Sequence, residues 1–137
     1  MPPKPLCLVS SCLLGLCTRY DGKGKQNDEC LRLLSAYRFI PICPEQLGGL
    51  CTPRPPASIL GGDGHAVLDG RARVLDNYGR DLSASFIKGA TMVLAIARMQ
   101  DVRVALLKSG SPSCGCTPTI GVTAALLQRE GIEVRSF

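Results

Sequence analysis

Short apolar runs alternate with helical patterns along this chain, and this alternation constrains the fold more than any other feature. Runs rich in Leu, Val and Ile predict buried strands at 6–13, 38–43, 102–108 and 132–137. Helical spacing of apolar residues predicts helices at 28–37, 83–99 and 123–130. Because strands that alternate with crossover helices run parallel, we expect an α/β domain of three layers with a mostly parallel sheet.

Local signals support this reading and bound the domain count. Asn27 is placed to cap the first helix, and Asp81 or Ser83 could cap the second. With 137 residues, of which 45% are hydrophobic, the chain suits one globular domain. We therefore predict a single Rossmann-like domain over residues 1–137, with ligands beyond the carboxyl ends of its strands.

The segment between the second strand and the helix at 83–99 is less regular. Residues 48–64 hold five glycines and three prolines, which predicts a long ordered loop with a functional reason to exist. Residues 65–76 alternate well enough for a hairpin or an extended segment around Gly70. The single histidine, His65, is expected to be an exposed loop residue rather than a metal ligand.

The chain has eight cysteines, so its redox compartment matters. In a secreted protein they would suggest disulfides, and in a reducing cytosol metal or catalytic thiolates. Lys4 and the apolar residues after it look like the start of a secretory signal, but the core begins too early and no cleavage pattern follows. No apolar run approaches the roughly 18 residues of a membrane span. We predict a cytoplasmic, reduced protein without membrane contact.

Charge and aromatic content limit the class of partner. The chain has 16 basic and 11 acidic residues, a net charge of +5, with 4% aromatic residues and no Trp. Stacking platforms for single-stranded nucleic acid would be hard to build from so few rings. We therefore expect a small anionic or nucleobase-like partner and no stable nucleic-acid complex.

Three cysteines lie at the ends of three different predicted strands or just after them, and we call them the rim cysteines. Cys12 and Cys43 are at the ends of the first two strands, and Cys114 is in the loop after the strand at 102–108. In a parallel sheet they would converge on one edge, which is what a metal or cluster site needs. Cys7, inside the first strand, and Cys30, on a helix, are predicted to be small buried hydrophobic residues.

The remaining cysteines leave an alternative open. Cys17, Cys51 and Cys116 also fall near the predicted edge, while the absence of any CxxC pair argues against a zinc ribbon. A non-catalytic metal-binding or sulfur-carrier module, with Cys51 or Cys116 as a fourth ligand, is the competing hypothesis.

A series of motifs gives the chain a specific resemblance. They are "SSCLLG", "RYDG", "PICPEQLGGL", "PRPP", "GGDG", "GRDLSASFIKGA", "LKSGSPSCG" and "GVTAALL". In this order, over nearly the whole chain, they resemble the thiouracil desulfidase family. The resemblance implies that Cys12, Cys43 and Cys114 hold a 4Fe-4S cluster with one iron left open. It also implies desulfuration of a thiolated heterocycle such as 2-thiouracil, in which C=O replaces C=S and sulfide is released.

The same resemblance implies that Glu45 and Ser111 act on the substrate, with Ser109 and Ser113 close enough in sequence to compete for the serine role. On this reading Glu45 activates a water molecule; alternatively it is a solvated carboxylate or a partner for Arg54. Ser111 would hydrogen-bond the heterocycle or merely shape the turn before a proline.

Two further segments have a functional and a structural interpretation. Gly48 and Gly49 would let backbone N–H groups approach a ligand, or would form a plain tight turn. Residues 19–21 would position the substrate or lock the loop after the first strand. The chain departs from the family pattern at Ser58, where an acidic residue is usual, and in a shorter segment before "GVTAALL".

Overall fold

The computed structural model of the protein describes residues 2–137 and has the predicted α/β architecture. Its strands are β1 (Leu6–Ser10), β2 (Arg38–Ile42), β3 (Ala57–Leu60), β4 (Arg73–Asp76), β5 (Val104–Leu107) and β6 (Glu133–Ser136). Its α-helices are α1 (Asp28–Leu34), α2 (Pro44–Leu47), α3 (Gly64–Leu68), α4 (Ser83–Met99) and α5 (Val122–Arg129). A 3-10 helix, Ser11–Leu14, follows β1 directly.

Four strands form a parallel sheet in the order β2-β1-β5-β6. β1 pairs with β2 from Leu6 opposite Arg38 to Ser10 opposite Ile42. The chain moves outward from β1 to β2 and later returns to β5 on the other side of β1. A reversal of this kind opens a crevice at the carboxyl ends of the two central strands.

Helices cover both faces of this sheet and complete the three layers. On one face, Cys7 and Val9 of β1 pack with Cys30 and Leu34 of α1. On the other face, residues of α4 and α5 pack against Leu8 and the inward residues of β5. The side chains of β1 thus alternate between two apolar cores, which explains why this strand is buried on both sides.

Several predicted boundaries were too long. Strand 6–13 ends at Ser10, because residues 11–14 wind into the 3-10 helix that Gly15 ends with a left-handed φ of 89°. The helix predicted to reach residue 37 ends at Leu34, and residues 35–37 form a turn into β2. The Asn27 cap is confirmed: its side chain accepts the backbone N–H of Cys30 at 2.9 Å. The helix at 83–99 has the predicted limits.

The prediction for residues 48–76 was partly wrong. A strand, β3, lies inside the predicted loop and pairs antiparallel with β4 to form a second, two-stranded sheet. The first half of the predicted hairpin is instead helix α3, because the Asp63 side chain accepts the backbone N–H of Ala66 and starts the helix. His65 therefore lies on a helix, where its Nδ1 accepts a hydrogen bond of 3.0 Å from Arg129.

Two glycines allow helices α2 and α4 to pack in close contact. A Cβ atom at Gly48 would collide with the carbonyl of Ser85, and one at Gly89 with the carbonyl of Pro44. Gly48 thus serves packing rather than ligand approach, while Gly49 takes a left-handed φ of 96° in the turn after α2. This close contact fixes the start of α2, which carries two of the predicted site residues. Within residues 2–137, no helix has both the length and the apolar character needed to cross a bilayer.

Candidate functional site

One cavity of about 440 Å³ opens at the carboxyl edge of the parallel sheet. Its walls come from the ends of β1 and β2, the start of α2, the loop after β5 and residues 54–57. All the site residues predicted from the sequence line it: Cys12, Cys43, Cys114, Glu45 and Ser111. The fold thus brings together residues that are as far as 102 positions apart in the chain.

The three rim cysteines reach the cavity in different ways. Cys12 lies in the 3-10 helix after β1, where its carbonyl accepts the N–H groups of Gly15 and Lys25. Cys43 is the residue before α2, and its thiol donates to the carbonyl of Thr18 over 3.7 Å. Cys114 lies in the loop after β5 and is 5% exposed.

The thiols are close enough to affect one another electrostatically. Burial raises the pKa of Cys12, and the neighbouring Cys43 thiol raises it further, while Lys108 and Arg19 lower it. Burial raises the pKa of Cys114 to about 12, against hydrogen bonds from Ser10 and Ser113 that lower it. A metal that binds these thiols must therefore displace their protons.

Glu45 lies in the first turn of α2 and lines the same cavity. Its Oε1 accepts a hydrogen bond of 3.2 Å from Nε of Arg54, so the contact with Arg54 considered from the sequence is present. Its Oε2 accepts one of 3.2 Å from the Ser113 hydroxyl. The carboxylate is 14% exposed and the guanidinium side chain 7%. The Glu45 carboxylate is therefore fixed by hydrogen bonds to the protein and is not a solvated side chain.

The serines of "SGSPSCG" separate clearly in space. Ser111 Oγ accepts the backbone N–H groups of Ser113 at 3.1 Å and Cys114 at 3.0 Å. Ser113 is buried and stands between Ser111 and Glu45. Ser109 belongs instead to the end of the sheet, because its N–H bonds the carbonyl of Phe137.

The remaining cysteines near this edge do not line the cavity. Cys17 and Cys51 are exposed, and Cys116 is half-buried with its sulfur facing the Gln128 amide at 3.9 Å. Among residues 2–137, no set of three or more His, Cys, Asp or Glu side chains is grouped to hold a metal ion. The arrangement therefore gives no support to a zinc site completed by Cys51 or Cys116.

The chemistry of the rim cysteines fits a cluster of several metal atoms. In an iron-sulfur cluster each thiolate binds its own iron, so the sulfurs surround a group instead of meeting at one ion. Three thiols that line one cavity without converging on a point match that requirement. Arg19, Lys108 and Arg54 surround the thiols with positive charge that suits an anionic cluster.

Sequence reasoning missed part of this site. Ser113 was considered only as a competitor of Ser111, and Thr18 and Lys108 were not considered at all. The spacing of Ser111 and Ser113 around a proline was a usable signal, because both hydroxyls belong to a turn that precedes a predicted ligand. Nothing local in the sequence marks Thr18, whose carbonyl meets Arg54 only through the fold.

Comparisons with known proteins agree with this geometry. The profile of the 2-thiouracil desulfurase family matches residues 7–136. The uncharacterized protein YbbK of Bacillus subtilis strain 168 is 38% identical over 143 residues, which cover 96% of this chain and 95% of YbbK.

A solved structure is similar over nearly the same length. It is the 4Fe-4S-dependent thiouracil desulfidase TudS, which is 40% identical and superposes with a TM-score of 0.81, covering 97% of this chain and 91% of that one. The fold class is thereby confirmed, and so are the resemblance and the prediction of an enzyme of this type. The chain belongs to the 2-thiouracil desulfurase family.

Proposed function

We propose that this protein removes sulfur from a thiolated heterocycle such as 2-thiouracil, using a 4Fe-4S cluster held by Cys12, Cys43 and Cys114. One observation carries the proposal: the three thiols share a single cavity with Glu45 and Ser111. Membership in the 2-thiouracil desulfurase family and the likeness to a 4Fe-4S-dependent desulfidase support the same substrate and cofactor.

The overall reaction is a hydrolysis. The C=S group and one water become C=O and hydrogen sulfide, with no net oxidation or reduction. When bound, the cluster would supply an open iron whose affinity for soft sulfur polarises the thiocarbonyl group. The residues of the chain must then place the water, accept its proton and hold the ring.

In this proposal Glu45 accepts that proton. Each carboxylate oxygen has about two acceptor positions, and the Arg54 and Ser113 hydrogen bonds occupy one on each, so both oxygens can still accept from water. Its position next to Cys43 keeps the base beside a cluster ligand. A positioned general base contributes about 10²- to 10⁴-fold to rate.

In this proposal the hydroxyl of Ser111 donates a hydrogen bond to the substrate. Ser111 and Ser109 both line the cavity, but the Ser109 hydroxyl already accepts a hydrogen bond of 3.5 Å from the Lys108 ammonium. The cavity is small, its walls are partly apolar, and Tyr20 is the one aromatic side chain among its lining residues. These features suit a flat heterocycle with a few polar groups.

The test is sulfide release by the anaerobically reconstituted protein supplied with 2-thiouracil. We expect stoichiometric uracil and sulfide from the wild type. Glu45→Gln should lower kcat by about 10²- to 10⁴-fold while leaving iron content unchanged. Glu130→Gln is the matched control, because Glu130 pairs with Arg98 on the surface and should not affect kcat.

Two results would contradict the proposal. A protein that holds a complete cluster but releases no sulfide from any thiolated pyrimidine would refute the catalytic role. A Glu45→Gln variant with the wild-type kcat would refute the assignment of the base.

A further inference from the structure

Both carboxylate oxygens of Glu45 accept hydrogen bonds, and the two donors come from different parts of the chain. Arg54, from the segment before β3, donates to Oε1. Ser113, from the loop after β5, donates to Oε2. A carboxylate with one partner can swing about its last bonds, whereas one restrained on both oxygens keeps a single orientation.

Arg54 is itself immobilised by the rest of its guanidinium group. Its Nη1 donates to Thr52 Oγ1 at 2.8 Å and to the carbonyl of Cys51 at 3.2 Å, and its Nη2 donates to the carbonyl of Thr18 at 3.0 Å. These contacts join the loop after the 3-10 helix to the segment after α2. The planar fork of arginine can make all of them at once, and a lysine ammonium cannot.

Ser113 connects Glu45 to Ser111 in one direction. Ser111 Oγ already accepts two backbone N–H groups, which occupy both of its lone pairs. Ser111 can therefore bond a further group only by donating its hydroxyl hydrogen. Ser113 Oγ lies 3.0 Å away and accepts this hydrogen until a bound substrate takes it. The single hydrogen of Ser113 has two acceptors within reach, Oε2 of Glu45 at 3.2 Å and the Cys114 sulfur at 3.8 Å, and the carboxylate is the closer and stronger one. The series of hydrogen bonds therefore runs from Ser111 to Ser113 to Glu45.

We propose that Arg54 and Ser113 are positioning residues that clamp the Glu45 carboxylate from both sides, and that Ser113 couples its orientation to that of Ser111. The clamp rests on the proposed role of Glu45 as the base that acts on water. Its consequence is that the free acceptor positions of Glu45 and the hydroxyl of Ser111 keep a constant relation to the cavity. Neither positioning residue needs to touch the substrate.

A double-mutant cycle in the reconstituted protein tests the clamp. Arg54→Lys and Ser113→Ala should each lower kcat on 2-thiouracil by about 10- to 100-fold, with KM and iron content within about twofold of wild type. In a Glu45→Gln background, each substitution should change kcat by less than about twofold, because the group it positions is gone. Equal losses in both backgrounds would show a general structural role and overturn the clamp.

Two matched control substitutions show whether the losses in kcat are specific to the clamp. Arg98→Lys alters a surface arginine paired with Glu130, and Ser35→Ala removes a surface serine hydroxyl bonded to a backbone carbonyl. Both should leave kcat unchanged. Ser113→Ala shrinks a buried side chain without adding atoms, so it tests the clamp even where Arg54→Lys impairs folding.

A second readout works without substrate turnover. The carboxylate stretching band of Glu45, identified by its loss in Glu45→Gln, should shift in the infrared difference spectra of Arg54→Lys and of Ser113→Ala. An unshifted band in both variants would overturn the clamp. If the wild type released no sulfide, the proposed function would fail while this band still decided whether the carboxylate is held as inferred.

Discussion

Two of the rim cysteines, Cys12 and Cys114, are buried like Cys7 and Cys30, but their surroundings differ. Cys7 and Cys30 lie in an apolar core, and every identified influence on their pKa, burial first, raises it to about 11. Cys12 and Cys114 face a cavity, where cations or hydroxyl donors oppose the effect of burial. Burial alone therefore does not separate the proposed ligand thiols from the structural ones; the cations beside Cys12 and the hydroxyl donors beside Cys114 do.

Removing a rim thiol should give the largest effect. Replacing Cys12, Cys43 or Cys114 by Ala removes one of the three proposed ligands, so we expect almost complete loss of iron and of the visible absorption of the cluster. Cys30→Ala should keep the full iron content and lower only Tm, because it leaves a void in an apolar core. Iron and sulfide analysis after anaerobic reconstitution measures both. Equal iron loss in Cys30→Ala would remove the distinction between the two groups.

The serines of the loop after β5 should show the next largest effect. Ser111→Ala removes the hydroxyl proposed to bond the substrate and should lower kcat by about 10²- to 10³-fold, as for other donors that stabilise a transition state. Ser109→Ala should change kcat little, because Ser109 is tied to the end of the sheet and to Lys108. Steady-state sulfide release compares them. A larger loss in Ser109→Ala would move the substrate contact to that residue.

The pH dependence of thermal stability should also distinguish the buried pair, Cys7 and Cys30, from the rim cysteines. Cys7 and Cys30 favour the neutral thiol in the folded state, because burial raises their pKa values to about 11 from an ordinary value of 9.0. Their contribution to folding is complete below about pH 9 and is lost as the pH rises through about 11, so Tm should fall over that interval.

In the cluster-loaded protein the rim thiols are already ionised by iron, so the buried pair should dominate this decline. Cys30→Ala should make the fall in Tm with pH shallower. A decline of the same steepness in Cys30→Ala would show that other groups cause it. Thermal melts followed by circular dichroism, with a thiol reductant present, provide the measurement.

The smallest effect is expected at the cysteines outside the cavity. Cys51 is exposed, and Cys116 faces α5. Cys51→Ser and Cys116→Ser should keep iron content and kcat within about twofold of wild type, as ordinary surface substitutions do. Loss of iron in either variant would favour a fourth protein ligand and the non-catalytic alternative.

Much of the fold could be predicted from the sequence because its signals are local. The period of apolar residues in α4 and the Asn27 side chain before α1 each determine structure within a few positions. β3 was missed because its four residues lie between prolines and glycines and pair with β4 more than ten positions away. The cap at Asp63, by contrast, was a local signal for α3 that the alternating pattern of residues 65–76 obscured.

The candidate site also has a part that local sequence signals predict and a part that they do not. The rim cysteines could be found because each lies at the end of a predicted strand or in the loop after it, and parallel strands end at one edge. The contacts of Glu45 could not be assigned in full, since Arg54 and Ser113 lie 9 and 68 positions from it. Which serine hydroxyl meets the carboxylate depends on how the loop after β5 packs against α2, and no local pattern encodes that.

The central claim is that exactly three cysteines hold the cluster and leave one iron for substrate sulfur, and Mössbauer spectroscopy of the ⁵⁷Fe-reconstituted protein tests it most directly. The account predicts that about one quarter of the iron signal differs from the rest and that 2-thiouracil shifts this fraction alone. Four equivalent irons, with a spectrum that 2-thiouracil leaves unchanged, would contradict it.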